Sequence, residues 1–242
     1  MSWVGGGLAK QRRRAVLRFG ASALVIVAVA VAISFYRLSG VSEAADLKHR
    51  DPSTTAFIER DRANGVPVRW QPIPYGEISD QLKLAVIVAE DINFFSHRGF
   101  DAAEIATAAR EAMEGKRLRG ASTITQQLAK NLWLSPSKTL GRKLREALMT
   151  RQLEHQLDKR RILELYLNVV QFGPGVYGAE AAANRFFGVS ASDLTQEQSA
   201  QLAAGLSRPS LWHPGCTRDG YARQVERISR RMDRAQWLMK HL

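Results

Sequence analysis

From Phe19 to Tyr36 the chain carries no charge and consists mainly of Ala, Val, Ile and Leu; beyond Ser42, apolar positions recur among polar ones at helical spacing. At about 1.5 Å rise per residue, an uncharged run of ~18–20 residues just crosses a ~30 Å hydrocarbon layer. Arg18 and Arg37 bracket the run, placed to snorkel to its two interfaces. The pattern predicts a transmembrane anchor over 19–36. Two other readings compete. A cleaved signal peptide would have a shorter apolar region, and a buried core helix would not be flanked by so many arginines.

After the run, Pro72 and Pro74 break any regular pattern, so 37–74 reads as a linker and irregular lead-in. Ser79 is placed to cap a helix through Ala89, with Leu82 and Val86 on its apolar side. Asp101 with Glu104 reads as a capping box, opening a helix that stops near Gly115. Thr123 with Gln126 repeats the signal ahead of Leu128, Leu132 and Trp133, and Pro136 ends that helix. Leu140, Leu144 and Leu148 recur every four residues, as a helix stripe does. Further helices are predicted around Ile162–Tyr166, over Ala179–Phe187 closing at Gly188, after the capping box of Thr195 and Gln198, and over Tyr221–Leu242. Period-2 runs are scarce. The expected fold is a mostly α domain over 75–242, without internal repeats.

Charge changes the picture through its distribution. The 242 residues hold 35 Lys and Arg against 23 Asp and Glu, a net charge of +12 that by itself suggests nucleic acid. No acidic residue occurs between Met1 and Ser42, where Lys10, Arg12, Arg13, Arg14, Arg18 and Arg37 supply half of that excess. Five of these cations precede the apolar run, so the positive-inside bias places 1–18 in the cytoplasm and the rest across the membrane. The excess thus reads as an address at the membrane, with no nucleic-acid partner. Cys216 is the single cysteine, which excludes an intramolecular disulfide and any all-cysteine zinc cluster.

Three stretches carry candidate chemistry, each with a plainer alternative. Glu90 and Asp91 end a strongly apolar helix. They are either an exposed acidic pair or a carboxylate at the rim of an apolar pocket, where desolvation suits it to general-base work. Gly120–Gln127 is a small-polar run at a helix start, either simple capping or a ligand-binding edge. Lys130, Lys138, Arg142, Lys143 and Arg145 surround Glu146, either as a salt-bridged solvated face or as a cationic clamp for a leaving pyrophosphate. Ser135-Pro136-Ser137-Lys138 matches Ser-x-x-Lys by letter, but no Ser-Asp-Asn or Lys-Thr-Gly accompanies it. The five histidines are too dispersed to imply a metal site.

In order and spacing these stretches resemble the peptidoglycan glycosyltransferases, glycosyltransferase family 51. Glu90–Asp101 resembles the family's first motif, Gly120–Gln127 the second, Arg142–Glu146 the third and Lys159–Asn168 the fourth. Phe172-Gly173, Tyr177-Gly178 and Phe186-Phe187-Gly188 match the segment that follows. The resemblance covers about 75–210. It implies a lysozyme-like, all-helical glycosyltransferase domain preceded by one transmembrane helix. It also implies polymerisation of lipid II by inverting transfer of the undecaprenyl-diphosphate-linked chain to a 4-hydroxyl, giving β-1,4 links. The bifunctional branch of the family carries a transpeptidase domain, and the chain to Leu242 resembles the branch without one.

By the same resemblance, Glu90 is the catalytic base and Glu146 the second carboxylate. Asp91, Ser122, Gln126, Gln127, Lys130, Lys138, Arg142 and Arg145 are the substrate-binding positions. No cofactor is required; Mg²⁺ or Mn²⁺ is an optional aid at the pyrophosphate, with no assigned ligand. The implied partners are lipid II, the growing lipid-linked glycan, membrane lipids and other cell-wall or division proteins, at the inner membrane with the catalytic domain periplasmic. The stretch Phe94–Phe100 and the helix after it are expected to dip into the outer leaflet; the plainer alternative is that these phenylalanines fill the core. Two other classes remain open. A lysozyme-like glycan-cleaving enzyme would leave the cation cluster without a job. A non-enzymatic scaffold would tolerate loss of both carboxylates.

Overall fold

Capping side chains set where most helices of this chain begin. The computed structural model describes residues 26, 27, 29, 41–115, 122–134 and 139–242. The anchor expected over 19–36 lies outside the described residues, save for Ile26, Val27 and Val29, which are helical and exposed. Among the described residues, no helix is long and apolar enough to cross a membrane.

In the stretch expected to be irregular, two helices and a strand appear: α1 (Val41–Asp46), α2 (Ala56–Ala63) and β1 (Arg69–Trp70). The α2 sequence is too polar to show a stripe, and tertiary contacts hold it. Its N-cap Thr55 accepts the Ile58 amide at 3.1 Å, and Asp61 accepts the Tyr177 hydroxyl at 2.6 Å from far along the chain. Ala44, Leu47 and Ile58 enter the core.

Next come α3 (Asp80–Glu90), α4 (Ala102–Met113), α5 (Ile124–Trp133), α6 (Leu140–Gln156) and α7 (Lys159–Val169). Ser79 caps α3 by accepting the Gln81 amide, and Thr123 with Gln126 forms a reciprocal capping box on α5. β2 (Gln171–Gly173) and β3 (Val176–Tyr177) follow, then α8 (Ala179–Phe187), α9 (Gln196–Gly205) and α10 (Asp219–Arg234). Gly188 closes α8 in the left-handed region at φ 69°, where an L side chain is strained. Thr195 and Gln198 box α9. The last predicted helix divides: α10 ends at Arg234, and a 3₁₀ turn over Gln236–His241 carries Leu238 into the core.

The small sheet has the order β1-β3-β2, with β1 parallel and β2 antiparallel to β3. Strands of two or three residues are too short to show a period-2 pattern in sequence.

The centre of the core is α3, buried without interruption from Leu82 to Val88 and packed against α9 and α10. Elsewhere α5 packs against α6 and α7, and α1 packs against α6. The Leu140–Leu144 stripe turns outward: Leu140 is 91% and Leu144 65% exposed, whereas Met149 and Leu153 are buried. Periodicity revealed this helix, but not which of its leucines had a partner. This architecture brings the end of α3, the start of α5 and the middle of α6 into one region.

Candidate active site

Glu90 and Asp91 end α3 side by side and meet different fates. Glu90 Oε2 accepts the Gln127 side-chain amide at 2.6 Å. The Gln127 carbonyl in turn accepts the Tyr166 hydroxyl at 3.0 Å, so three helices hold this carboxylate. Burial pushes the Glu90 carboxyl above the usual carboxylate range; the Gln127 hydrogen bond and the Lys130 charge pull it partly back. Burial also drives the Tyr166 phenol well above its ordinary range, so it remains a donor. A carboxylate partly desolvated in this way is suited to removing a proton from an alcohol.

Asp91 turns inward. Its Oδ2 accepts the Ile124 amide at 3.0 Å, which fastens the loop after α3 to the first turn of α5. His97 Nε2 lies 2.8 Å from Asp91 Oδ1, and the Gly99 amide donates to His97 Nδ1 at 3.1 Å. With Nδ1 accepting, the proton sits on Nε2 and is donated to Asp91. The Thr123 hydroxyl completes the tie by donating to the Gly99 carbonyl at 2.7 Å. Gly99 has φ 85°, and a Cβ there would lie 2.8 Å from Thr150 Cγ2 on α6, so this loop passes α6 at backbone contact.

Glu146, on α6, is 3% exposed and gripped by Arg142 Nη1 at 2.7 Å and by Lys143 Nζ. Lys130 of α5 is near enough to feel the charge of both carboxylates. Burial lowers its ammonium from the ordinary lysine range, and the charges of Glu146 and Glu90 both raise it back. The Nε atoms of Arg142 and Arg145 are buried without a hydrogen-bond partner, a donor capacity that an anion would use. Behind the site, Glu154 accepts from the Thr125 hydroxyl and the Lys159 ammonium at 2.5 and 2.7 Å. Lys159 also sits 4.4 Å from the Phe94 ring centre.

Residues 61–235 match the family model described as Transglycosylase. The chain belongs to the transglycosylase family. It is 46% identical over 202 residues to the "Biosynthetic peptidoglycan transglycosylase" of Alcanivorax borkumensis, covering 83% of this chain and 79% of that one. The similarly described proteins of Laribacter hongkongensis and Chromobacterium violaceum are 42% and 40% identical over 193 and 215 residues. They cover 77% and 86% of this chain, and 85% and 94% of their own.

Within this transglycosylase domain, Glu90, Gln127, Lys130, Arg142 and Glu146 are joined by the contacts and charges just described. Three of the other expected positions are placed differently. Asp91 is buried and spent on Ile124 and His97. Gln126 is buried, and its side-chain carbonyl accepts the Thr123 amide in the capping box. Ser122 is exposed just ahead of that cap. Lys138 lies outside the described residues. Phe94, expected to dip into the leaflet, is fully buried, and Phe95 stacks on His241 at 5.3 Å; these rings serve packing. The helix after them, α4, does present Ile105 and Met113 to solvent, Met113 at 89% exposure. Tyr166 lies in a predicted helix and in the stretch resembling the family's fourth motif, and neither gives its hydroxyl a partner. Its partner Gln127 lies 39 residues away, and no local pattern signals such a pairing. Among the described residues, no three His, Cys, Asp or Glu side chains gather as a metal would require.

Proposed function

We propose that this chain polymerises lipid II into linear peptidoglycan glycan, releasing undecaprenyl diphosphate. The observation that carries the reading is the pair of unlike carboxylates whose charges both act on Lys130. One, Glu90, is pushed toward its protonated form by burial; the other, Glu146, is clamped by two cations. Residues of the same type held in such different environments suit different jobs. Glu90 takes the proton of the acceptor 4-hydroxyl as that oxygen attacks the anomeric carbon of the growing chain. The bond from that carbon to the pyrophosphate oxygen breaks on the opposite face, inverting the α-linkage to β-1,4. Lys130, Arg142 and Arg145 receive the charge that develops on the leaving pyrophosphate. Glu146 holds Arg142 and Lys143 in place for this. The side-chain cations carry the neutralisation, with Mg²⁺ or Mn²⁺ entering at most as a counter-ion of the substrate. The curated relatives described as biosynthetic peptidoglycan transglycosylases support the choice of polymer.

The uncharged run over 19–36 anchors the domain at the inner membrane, with 1–18 cytoplasmic and the catalytic domain outside. The exposed Ile105, Met113, Leu140 and Leu144 then face the leaflet that holds the lipid-linked substrates.

The test supplies the purified full chain with lipid II, and separately with finished glycan, and analyses both for polymer and for cleavage. Polymer from lipid II and no cleavage of glycan are expected, with polymer lost in Glu90→Gln. Cleavage of finished glycan would overturn the reaction class. Near wild-type turnover by Glu90→Gln would overturn the assignment of the base.

A further inference from the structure

An open cavity lies at the N-terminal turn of α7. It holds about 400 Å³ and is lined by Lys48, His49, Tyr75, Asp158, Arg160 and Glu164, among others. Both of these acids are already engaged. Asp158 caps α7 by accepting the Arg161 amide at 2.8 Å, and Glu164 accepts the Tyr75 amide and pairs with Arg161 at 3.0 Å. Arg161 is spent as well, donating to the Leu47 and Arg50 carbonyls and pairing with Asp51. Lys48, His49 and Arg160 remain on the rim, all exposed, with Arg160 giving one bond to the Leu242 carbonyl at 2.8 Å. The Tyr75 hydroxyl is buried with no hydrogen-bond partner, while Lys83 lies 4.0 Å over its ring. Burial pushes this phenol up to about 12, so the group remains a donor.

A cavity with exposed cations at its mouth and an unsatisfied donor in its wall has the chemistry of an anion site. We propose that it seats a phosphate group, carried by the headgroup of an anionic phospholipid. Two parts of the chain meet there. Residues 47–51 bond to Arg161 and Leu242 bonds to Arg160, neighbours on one helical turn. The first of these parts begins just after the segment read as the anchor, so the assignment to a lipid rests on the reading that the domain works at a membrane. The cavity then fixes the tilt of the domain on the bilayer, since one headgroup is held at a defined point of its surface.

The test uses the full chain in non-ionic detergent, titrated with phosphatidylglycerol, with phosphatidylcholine of the same chain length, or with inorganic phosphate. Adducts are counted by native mass spectrometry. One phosphatidylglycerol per chain is expected, held at least tenfold more tightly than either of the other two. Lys48→Gln combined with Arg160→Gln loses at least tenfold of that affinity, and the conservative Tyr75→Phe loses severalfold. Equal retention of the two lipids, or unchanged retention by the double variant, overturns the site. Phosphate bound as tightly as phosphatidylglycerol overturns the lipid and leaves a site for the free ion. Lipid II polymerisation is measured on the same preparations and is expected to be unchanged in Lys48→Gln. A wild-type chain that retains phosphatidylglycerol but makes no polymer refutes the proposed reaction and not the seat; one that polymerises without retaining the lipid refutes the seat alone.

Discussion

Replacing Tyr166 by Phe deletes one hydroxyl and leaves the ring that fills its place in the core. That hydroxyl donates to Gln127 Oε1 at 3.0 Å, and the other end of the same amide donates to Glu90 at 2.6 Å. The loss leaves a largely buried carbonyl without its donor, a cost of about 1–3 kcal/mol. For a domain of this size each kcal/mol lowers Tm by ~2–4 °C, so a fall of about 2–12 °C is expected in a thermal melt. The effect on activity has a definite sign. With Oε1 held by Tyr166, only the amide nitrogen can face Glu90, and that contact lowers the Glu90 carboxyl. Without Tyr166 the amide is free to turn and the contact weakens, so the carboxyl moves further up. A base works only when deprotonated, so the acidic limb of kcat/KM for lipid II polymerisation shifts to higher pH, with more loss in kcat than in KM. A variant with lowered Tm and an unmoved acidic limb would refute the role of Tyr166 in setting the base.

Three further outcomes are expected. Glu90→Gln melts at a higher temperature than the wild type at neutral pH. The folded carboxyl lies above its reference value of 4.5, so wild-type stability is full below that value and falls as pH rises through the folded one; the amide escapes this loss, and melts across pH 4–8 would show the curves diverging. Gly99→Ala combines φ 85° with a Cβ 2.8 Å from Thr150 Cγ2 and lowers stability by about 1–3 kcal/mol in denaturant titration; an unchanged midpoint would mean that the loop is not pinned against α6. Arg142→Ala costs about 1–3 kcal/mol, because Arg142 is 18% exposed and its loss strips a buried carboxylate of one partner, whereas Lys143→Ala, at 51% exposure, costs less than about 1 kcal/mol. Equal losses for the two would contradict the division between buried and exposed grip.

Features governed by near neighbours in sequence were legible before any coordinates. Ser79, Thr123 with Gln126, Thr195 with Gln198, and Gly188 mark helix ends through contacts that span four residues or fewer. The carboxylates and cations that gather at the end of α3 and the middle of α6 likewise stand in the stretches that resemble the family's motifs. What stayed hidden depends on distant partners. Glu90 and Asp91 are adjacent and chemically alike, and only the approach of α5 gives one an amide from Gln127 and the other the Ile124 backbone. The polar α2 is held by Tyr177, 116 residues away from Asp61. Leu140 and Leu144 have the spacing of a core stripe, but no described element covers them.

The placement of α3 also has a consequence for timing. Glu90 lies in the first half of the chain, but the helix that presents it packs against α9 and α10, which come from its last quarter. Such long-range contacts form late, and a chain is synthesised N-terminus first. Glu90 is therefore made early but positioned only when nearly the whole polypeptide has been synthesised. A nascent or truncated chain lacking α10 carries every side chain of the candidate site without the wall that packs against α3. The site is thus assembled by completion of the domain, and an incomplete chain holds its parts without their arrangement.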